Sequence, residues 1–519
     1  MKLYQFDILI FESIQCNEIY IINYSEYYLS KLCDAFPVLE YIAGGWDDVP
    51  YRQGVHEFRG HRIRITNYEN VERVPQSAIL LIIDPYPYAR FKLVSSKQEI
   101  SERFSKIYFF ADKETTYYLS YIEKYKNDAL ENIIVFRSGP GASRNVPGID
   151  FGDNARALFE YMLREGYDNE YTLVWLVRDP AKYIEKYEGR NVRFFPYTAS
   201  ETDNVSIREK YYYYLCHAKF IFFTNSGVFS SHARADQVRV QLWHGCGFKN
   251  IRSVRIGRDE YKYEYMIVTS KLYAKLHELD FGLRSDQLLV TGYPKDDLLF
   301  YPISGWPQKF NIHKAKKYIF WLPTWRTTAL SGEWQGEIVN KETGLPIIDT
   351  MGKLEEINEF LCAKDIVLVI KLHPWQETTV LPELNLSNVV VLKNELLAKE
   401  DVQINELLGH ADALISDYSS VAVDYTLLDR PIGFTLDDIG VYKDRRGFLW
   451  ENIHDWLPGM EIFSVRDFME FIFSVFDGTD PFREKRRQLD KMFHDFSDAR
   501  SSSRVLEMLG IKHGNIEVF

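Results

Sequence analysis

In the stretch Trp243-His244-Gly245-Cys246-Gly247, an imidazole closes the apolar run VRVQL and glycines follow it. A histidine at a strand end, beside residues that let a ligand come close, is placed to touch a substrate in the crevice of an α/β domain. The same side chain is equally suited to satisfying a turn carbonyl. Further along, three strand ends carry groups suited to phosphate oxygens. Arg326 follows YIFWLPTW, Lys371 and His373 lie in IVLVIKLHP, and the turn Ser416-Asp417-Tyr418-Ser419-Ser420 stops the run Ala413-Leu414-Ile415. Gathered at the carboxyl ends of parallel strands, these groups make a pocket for a pyrophosphate. Ser419 and Ser420 precede an amphipathic segment containing Val421, Val423, Tyr425 and Leu428. They therefore stand at the positive end of a helix, where phosphate binding and plain N-capping both suit them.

Alternating strands and helices must position these residues, and the sequence divides into blocks of that kind. Residues 1–130 contain the β-rich runs FDILIF, EIYIINY, AILLIIDPY and KIYFFAD, with helix-like EYYLSKLCDAF and TTYYLSYIEKYK between and after them. They read as an accessory α/β domain, with Gly44-Gly45 marking a turn. Residues 131–305 form a second α/β block that ends near PISGWP, a linker pattern. Its glycines 139, 141 and 148 do not make GxGxxG, and Asp153 or Asn154 is placed to cap the helix ARALFEYML. Residues 306–465 form a third block, and residues 466–519 are helices that pack back or contact a membrane. In the tail, REKRRQLDK carries an excess of basic side chains beside Phe482, Leu489, Met492, Phe493 and Phe496. That pattern suits an anionic membrane surface or a solvated helix packed by its aromatic side.

Composition narrows the function classes. At 519 residues and 46% hydrophobic content the chain holds several folded domains, about three by length. A net charge of −12 argues against nonspecific nucleic-acid binding. The cysteines, Cys16, Cys33, Cys216, Cys246 and Cys362, follow neither a disulfide nor a metal-ligand pattern, so a reducing cytoplasm is expected. No signal peptide is recognisable in the N-terminal run, and no stretch has the length of a membrane span, so any membrane contact is expected to be peripheral.

WHGCGFK, LLVTGYP, LPTWR, IKLHP, ISDYSSVAVDYTLLDRPIGF and VYKDRRGF occur in this order along the chain. The ordered set resembles the CDP-glycerol glycerophosphotransferase family, the polymerases and primases of teichoic acids and related capsule polymers. One departure is Asp498-Ala499 before Arg504, where the family has an acidic-glycine step. The resemblance implies a GT-B fold: two facing Rossmann-like domains, the C-terminal one holding a CDP donor and the N-terminal one presenting the acceptor. It implies transfer of glycerol phosphate, or a related polyol or sugar phosphate, to a hydroxyl of a polymer or lipid-linked primer, without a bound metal or other cofactor. By motif position it makes His244 the base candidate and assigns His373, Arg326 and Lys371 to the donor phosphates. Ser419 and Ser420 then bind phosphate oxygens and Asp417 orients their turn. Asp424, one turn into the helix, reaches a ribose or a basic neighbour, or else is an exposed helical carboxylate. Two other functions fit parts of the pattern: a GT-B glycosyltransferase using a nucleotide sugar, and an inactive polymer-binding protein.

Overall fold

Runs rich in Val, Ile, Leu and Phe become strands buried on both faces, as parallel sheets covered by helices require. The computed structural model describes residues 2–6, 18–47, 52–84, 87–111, 113–138, 150–200, 202–224, 234, 236–251, 262–324, 342–372 and 386–514. Arg326 and His373 lie outside the described residues.

The first sheet contains β1 (Lys2–Gln5), β2 (Ile19–Ile22), β3 (Ile42–Trp46), β4 (Gly54–Phe58), β5 (His61–Thr66), β6 (Ile79–Ile82) and β7 (Lys106–Phe109). Its order is β1-β7-β6-β2-β3-β5-β4, parallel except for the β4–β5 hairpin. The glycine pair expected to mark a turn lies inside β3. A Cβ at Gly45 would come within 2.5 Å of Ile21 and 2.9 Å of Ile65, so strands packed this closely leave room for glycine alone.

The second sheet contains β8 (Glu131–Arg137), β9 (Thr172–Val177), β10 (Val192–Pro196), β11 (Ala218–Phe223), β12 (Val238–Gln241), β13 (Tyr265–Val268) and β14 (Leu288–Val290). The third contains β15 (Lys317–Trp321), β16 (Ile366–Ile370), β17 (Val389–Val391), β18 (Ala413–Ser416), β19 (Ile432–Thr435) and β20 (Met460–Ile462). Their orders are β10-β9-β8-β11-β12-β13-β14 and β17-β16-β15-β18-β19-β20, with parallel pairing throughout. Both are doubly wound. The chain reverses direction across each sheet between β8 and β11 and between β15 and β18, and ligands of such sheets bind outside the carboxyl ends at these points.

The two domains are packed together as a GT-B-like pair. One hydrophobic cluster runs from Ile134 and Trp175 through Trp243 and Phe248 to Phe434 and Phe493. The tail returns across the seam: helix Arg483–Phe493 packs on helix Lys271–Phe281, and helix Ser501–Met508 packs on helices Asp153–Arg164 and Pro294–Asp297. The buried Asp297 carboxylate accepts the N–H groups of Ser501 and Ser502, both at 2.8 Å, and so caps the last of these helices from another domain. In the basic tail Arg486 is fully buried against Asp429 and Asp480, and Arg483 and Arg487 also pair with Asp429. Arg486 is therefore structural. None of the described helices is long and apolar enough to cross a membrane.

Candidate active site

The third sheet reverses at β15 and β18, and there Asp417, fully buried, follows β18. Its carboxylate accepts the Thr324 N–H at 2.8 Å and the Thr324 hydroxyl, tying the segment after β15 to the turn after β18. Lys249 of the other domain reaches the same hydroxyl with its ammonium at 3.3 Å. Lys371, at the end of β16, donates to the Leu372 carbonyl at 2.6 Å and is 7% exposed. After Asp417 the backbone enters the short helix Val421–Tyr425 with Ser420 at the cap position, yet the Ser420 side chain makes no capping bond. Among the described residues neither Ser419 nor Ser420 has a side-chain hydrogen bond, so N-capping does not account for the two hydroxyls.

Against this turn lies the loop that carries His244. A Cβ built on Gly245 would sit 2.4 Å from Ser420 Oγ and 2.7 Å from its Cβ, and one on Gly247 would be 3.2 Å from Ser420 Cα. The two glycines allow the loop of one domain to touch the turn of the other. Downstream the contact becomes a short antiparallel bridge between Lys249 and Phe448, with Asn250 N–H on the Gly447 carbonyl and Leu449 N–H on the Phe248 carbonyl. WHGCGFK and RRGFL, separate motifs in sequence, are thus one paired surface. His244 is exposed, with its ring 4.0 Å from the Trp243 ring.

Trp243 has a φ of 50°, a left-handed conformation that costs an aromatic residue about 1–3 kcal/mol. Buried Asn154 offsets that cost. Its amide donates to the carbonyls of Leu242 and Trp243 at 3.0 and 2.9 Å and accepts the Lys295 N–H at 3.1 Å. Neither expected residue sits at the cap position, although the Asp153 carboxylate accepts the Asn154 N–H of the first turn at 2.7 Å. Gly152 occupies the cap position, Asp153 has a φ of 58°, and Asn154 serves the His244 loop instead. Burial pushes the Asp153 carboxyl up to about 6 against the opposing pull of the Lys295 ammonium.

Asp424 is 1% exposed and pairs with the Lys295 ammonium, so it is the basic neighbour that it reaches, not solvent. Burial disfavours the Lys295 charge, but Asp424, Asp296 and Asp153 together hold its pKa above the ordinary lysine value. The sequence offers Asn154 only as a helix cap and does not single out Lys295 or Asp296. The DNARALF and YPKDD runs that contain them signal a cap and a helix start, and give no hint of contacts across domains.

Beneath the loop, Cys246 Sγ lies 3.0 Å from the Tyr293 hydroxyl and 3.7 Å from His277 Nε2, and His277 Nδ1 is 3.7 Å from Asp280. Burial lowers the imidazole pKa, but Asp280 and Cys246 raise it further, to about 9 against an ordinary 6.5. The folded state therefore binds this proton more tightly than the unfolded chain. The stabilisation is complete below pH 6.5 and is lost as pH rises through about 9. It amounts to on the order of 3 kcal/mol. Urea midpoints at pH 6 and pH 9.5 are expected to converge for wild type and His277→Gln at the alkaline value and to differ at the acid one. A difference independent of pH would remove the imidazolium assignment.

Among the described residues no group of three or more histidine, cysteine or carboxylate side chains is arranged to hold a metal ion. The profile described as CDP-Glycerol:Poly(glycerophosphate) glycerophosphotransferase matches residues 125–510. The chain belongs to this family. Among relatives it is 24% identical over 337 residues to the teichoic acid poly(glycerol phosphate) polymerase of Staphylococcus epidermidis, covering 60% of this chain and 42% of that one. To the teichoic acid ribitol-phosphate polymerase TarK of Staphylococcus aureus it is 27% identical, covering 69% of this chain and 65% of that one. It thus spans less than two thirds of either relative. The wall teichoic acid polymerase TagF shares the fold, with a TM-score of 0.57 at 19% identity over 76% of this chain and 93% of TagF. The match begins at residue 125 and leaves the first sheet outside it.

Proposed function

We propose that the protein moves glycerol phosphate, or a related polyol or sugar phosphate, from a CDP-activated donor to a hydroxyl of a teichoic-acid-like or capsular polymer or a lipid-linked primer. The observation that carries this is the contact of the His244 loop with Ser420. It brings the loop that carries the candidate base against the turn of Ser419 and Ser420, whose hydroxyls make no side-chain hydrogen bond among the described residues, at the reversal point of the donor-side sheet. His244 takes the acceptor proton as the acceptor oxygen attacks the donor's β-phosphorus. The bond between that phosphorus and the bridging oxygen breaks, and CMP leaves. Lys371 offsets charge on the phosphates, Ser419 and Ser420 donate to their oxygens, and Asp417 fixes the turn through Thr324. Arg326 and His373 are assigned to the donor phosphates by their motif positions, and Asp424 supports the turn from behind. The chemistry is supplied by these side chains, with no cofactor.

The relatives named for glycerol phosphate and for ribitol phosphate support a polyol phosphate as the transferred group. We place the protein on the cytoplasmic face of the membrane, in peripheral contact. Arg483 and Arg487, each more than half exposed, and the outward Phe473 and Phe476 support that placement. The test is nucleotide release from CDP-glycerol, CDP-ribitol and nucleotide sugars, with and without vesicles bearing a lipid-linked polyol-phosphate acceptor. Acceptor-dependent CMP from a CDP-polyol is expected. A nucleoside diphosphate would point to glycosyl transfer, and no release to a binding protein. Flotation of the same vesicles tests the membrane contact.

A further inference from the structure

We propose that Asn154, Lys295 and Asp424 form a positioning path that fixes the direction of His244 from the donor-side helix. The proposal rests on His244 acting as the base. Its links run through the length of Lys295: the Asp424 carboxylate pairs with the ammonium at the tip of the side chain, the Lys295 backbone N–H donates to Asn154 Oδ1, and Asn154 Nδ2 donates to the carbonyls of Leu242 and Trp243. Asp424 lies one turn after Ser420, and the Trp243 carbonyl belongs to the peptide that leads into His244. The two ends of the path are therefore the two elements that the chemistry must bring together. The Lys295–Asp424 link spans 129 residues and joins one domain to the other.

The chemistry of the cluster argues for registration over mere stability. Three carboxyl groups, Asp153, Asp296 and Asp424, face one ammonium in a buried space. Asp296 is 2% exposed, with both oxygens lacking hydrogen bonds among the described residues and the Lys295 ammonium 3.5 Å away. Among the described residues Asp424 Oδ1 is likewise buried without a hydrogen bond. A buried ion pair of this kind contributes less to stability than apolar side chains of the same volume, and its best-attested use is to select one arrangement among several. Here the arrangement selected is the one with Gly245 against Ser420. Since Trp243 is held in a left-handed conformation, freeing its carbonyl lets the following residue turn away. Asn154 and Lys295 are positioning residues, acting on the reaction through His244.

The test compares Lys295→Met, Lys295→Arg and Asn154→Ser with wild type, by CMP-release kinetics and by amide hydrogen exchange over residues 242–250 and 420–425. Misplacing a reacting group by about an ångström costs roughly a hundredfold in rate, so kcat should fall by about that factor in Lys295→Met while KM for the CDP donor stays within about threefold. Lys295→Arg, which keeps the charge, should recover much of the loss. Exchange should rise at both ends of the path in Lys295→Met and at 242–250 in Asn154→Ser. An unchanged kcat, or unchanged exchange at 242–250 in folded variants, would overturn the path. If Lys295→Met does not fold, Asn154→Ser carries the test, since serine keeps a shorter hydrogen-bonding group at that position. If wild type turns over no donor, the assigned function fails, and hydrogen exchange still decides whether the path couples the two segments.

Discussion

Replacing His244 by alanine is expected to cut acceptor-dependent CMP release by about a hundredfold to ten-thousandfold, the range typical for loss of a general base. Binding of CDP should change little. The two halves of this expectation follow from where the groups sit. The donor turn is held by Asp417 on Thr324, by the helix Val421–Tyr425 and by the packing of Tyr418 against Tyr442 and Phe448, none of which involves the imidazole. His244 itself is exposed, with its ring against Trp243, so its removal leaves no buried cavity. Calorimetric titration with CDP beside single-turnover CMP release separates the two quantities. Near-normal turnover in this variant would show that another group takes the acceptor proton. Equal loss of CDP affinity and rate would mean that the imidazole contributes to donor binding as well.

The strand runs make the α/β blocks legible, and the pairing of two of them is what the resemblance of the ordered motifs implies; the structure ends β16 and β18 next to Lys371 and Asp417, and β12 two residues before Trp243. Sequence could also indicate that Ser419 and Ser420 lie between a strand and a helix. What it could not supply was contact between remote segments. Asp424 has the spacing of a surface carboxylate one turn into a helix, and its partner lies in a different domain behind a YPKDD run that looks like an ordinary helix start. Gly44-Gly45 has the composition of a turn, but the turn signal and the tight-packing signal of glycine are the same letter, and only the neighbouring Ile21 and Ile65 tell them apart. The basic tail likewise gave one charge pattern to two situations. Arg486 is buried on Asp429 and Asp480 while its neighbours Arg483 and Arg487 remain half exposed.

Substituting Gly245 by alanine should be nearly as damaging as losing the histidine, although no reactive group is removed. The added methyl carbon would stand 2.4 Å from Ser420 Oγ and 2.7 Å from its Cβ, closer than real Cβ contacts allow, on a backbone whose φ of +156° already disfavours a side chain. The hydroxyl can rotate away, but the Ser420 Cβ cannot, because it belongs to a turn that Asp417 and the following helix hold in place. The His244 loop must therefore withdraw. Withdrawal of about an ångström between base and donor phosphate costs roughly a hundredfold in kcat. Gly247→Ala is the internal comparison. Its Cβ would meet Ser420 Cα at 3.2 Å and its Cβ at 3.3 Å, distances that a shift of a few tenths of an ångström relieves, so a loss of several-fold at most is expected. Both variants keep every titratable group, so their pH–rate profiles should retain the wild-type shape, whereas His244→Ala should change it. If Gly245→Ala and Gly247→Ala proved equally active, the close approach of the His244 loop to the Ser420 turn would not be the arrangement in which transfer occurs.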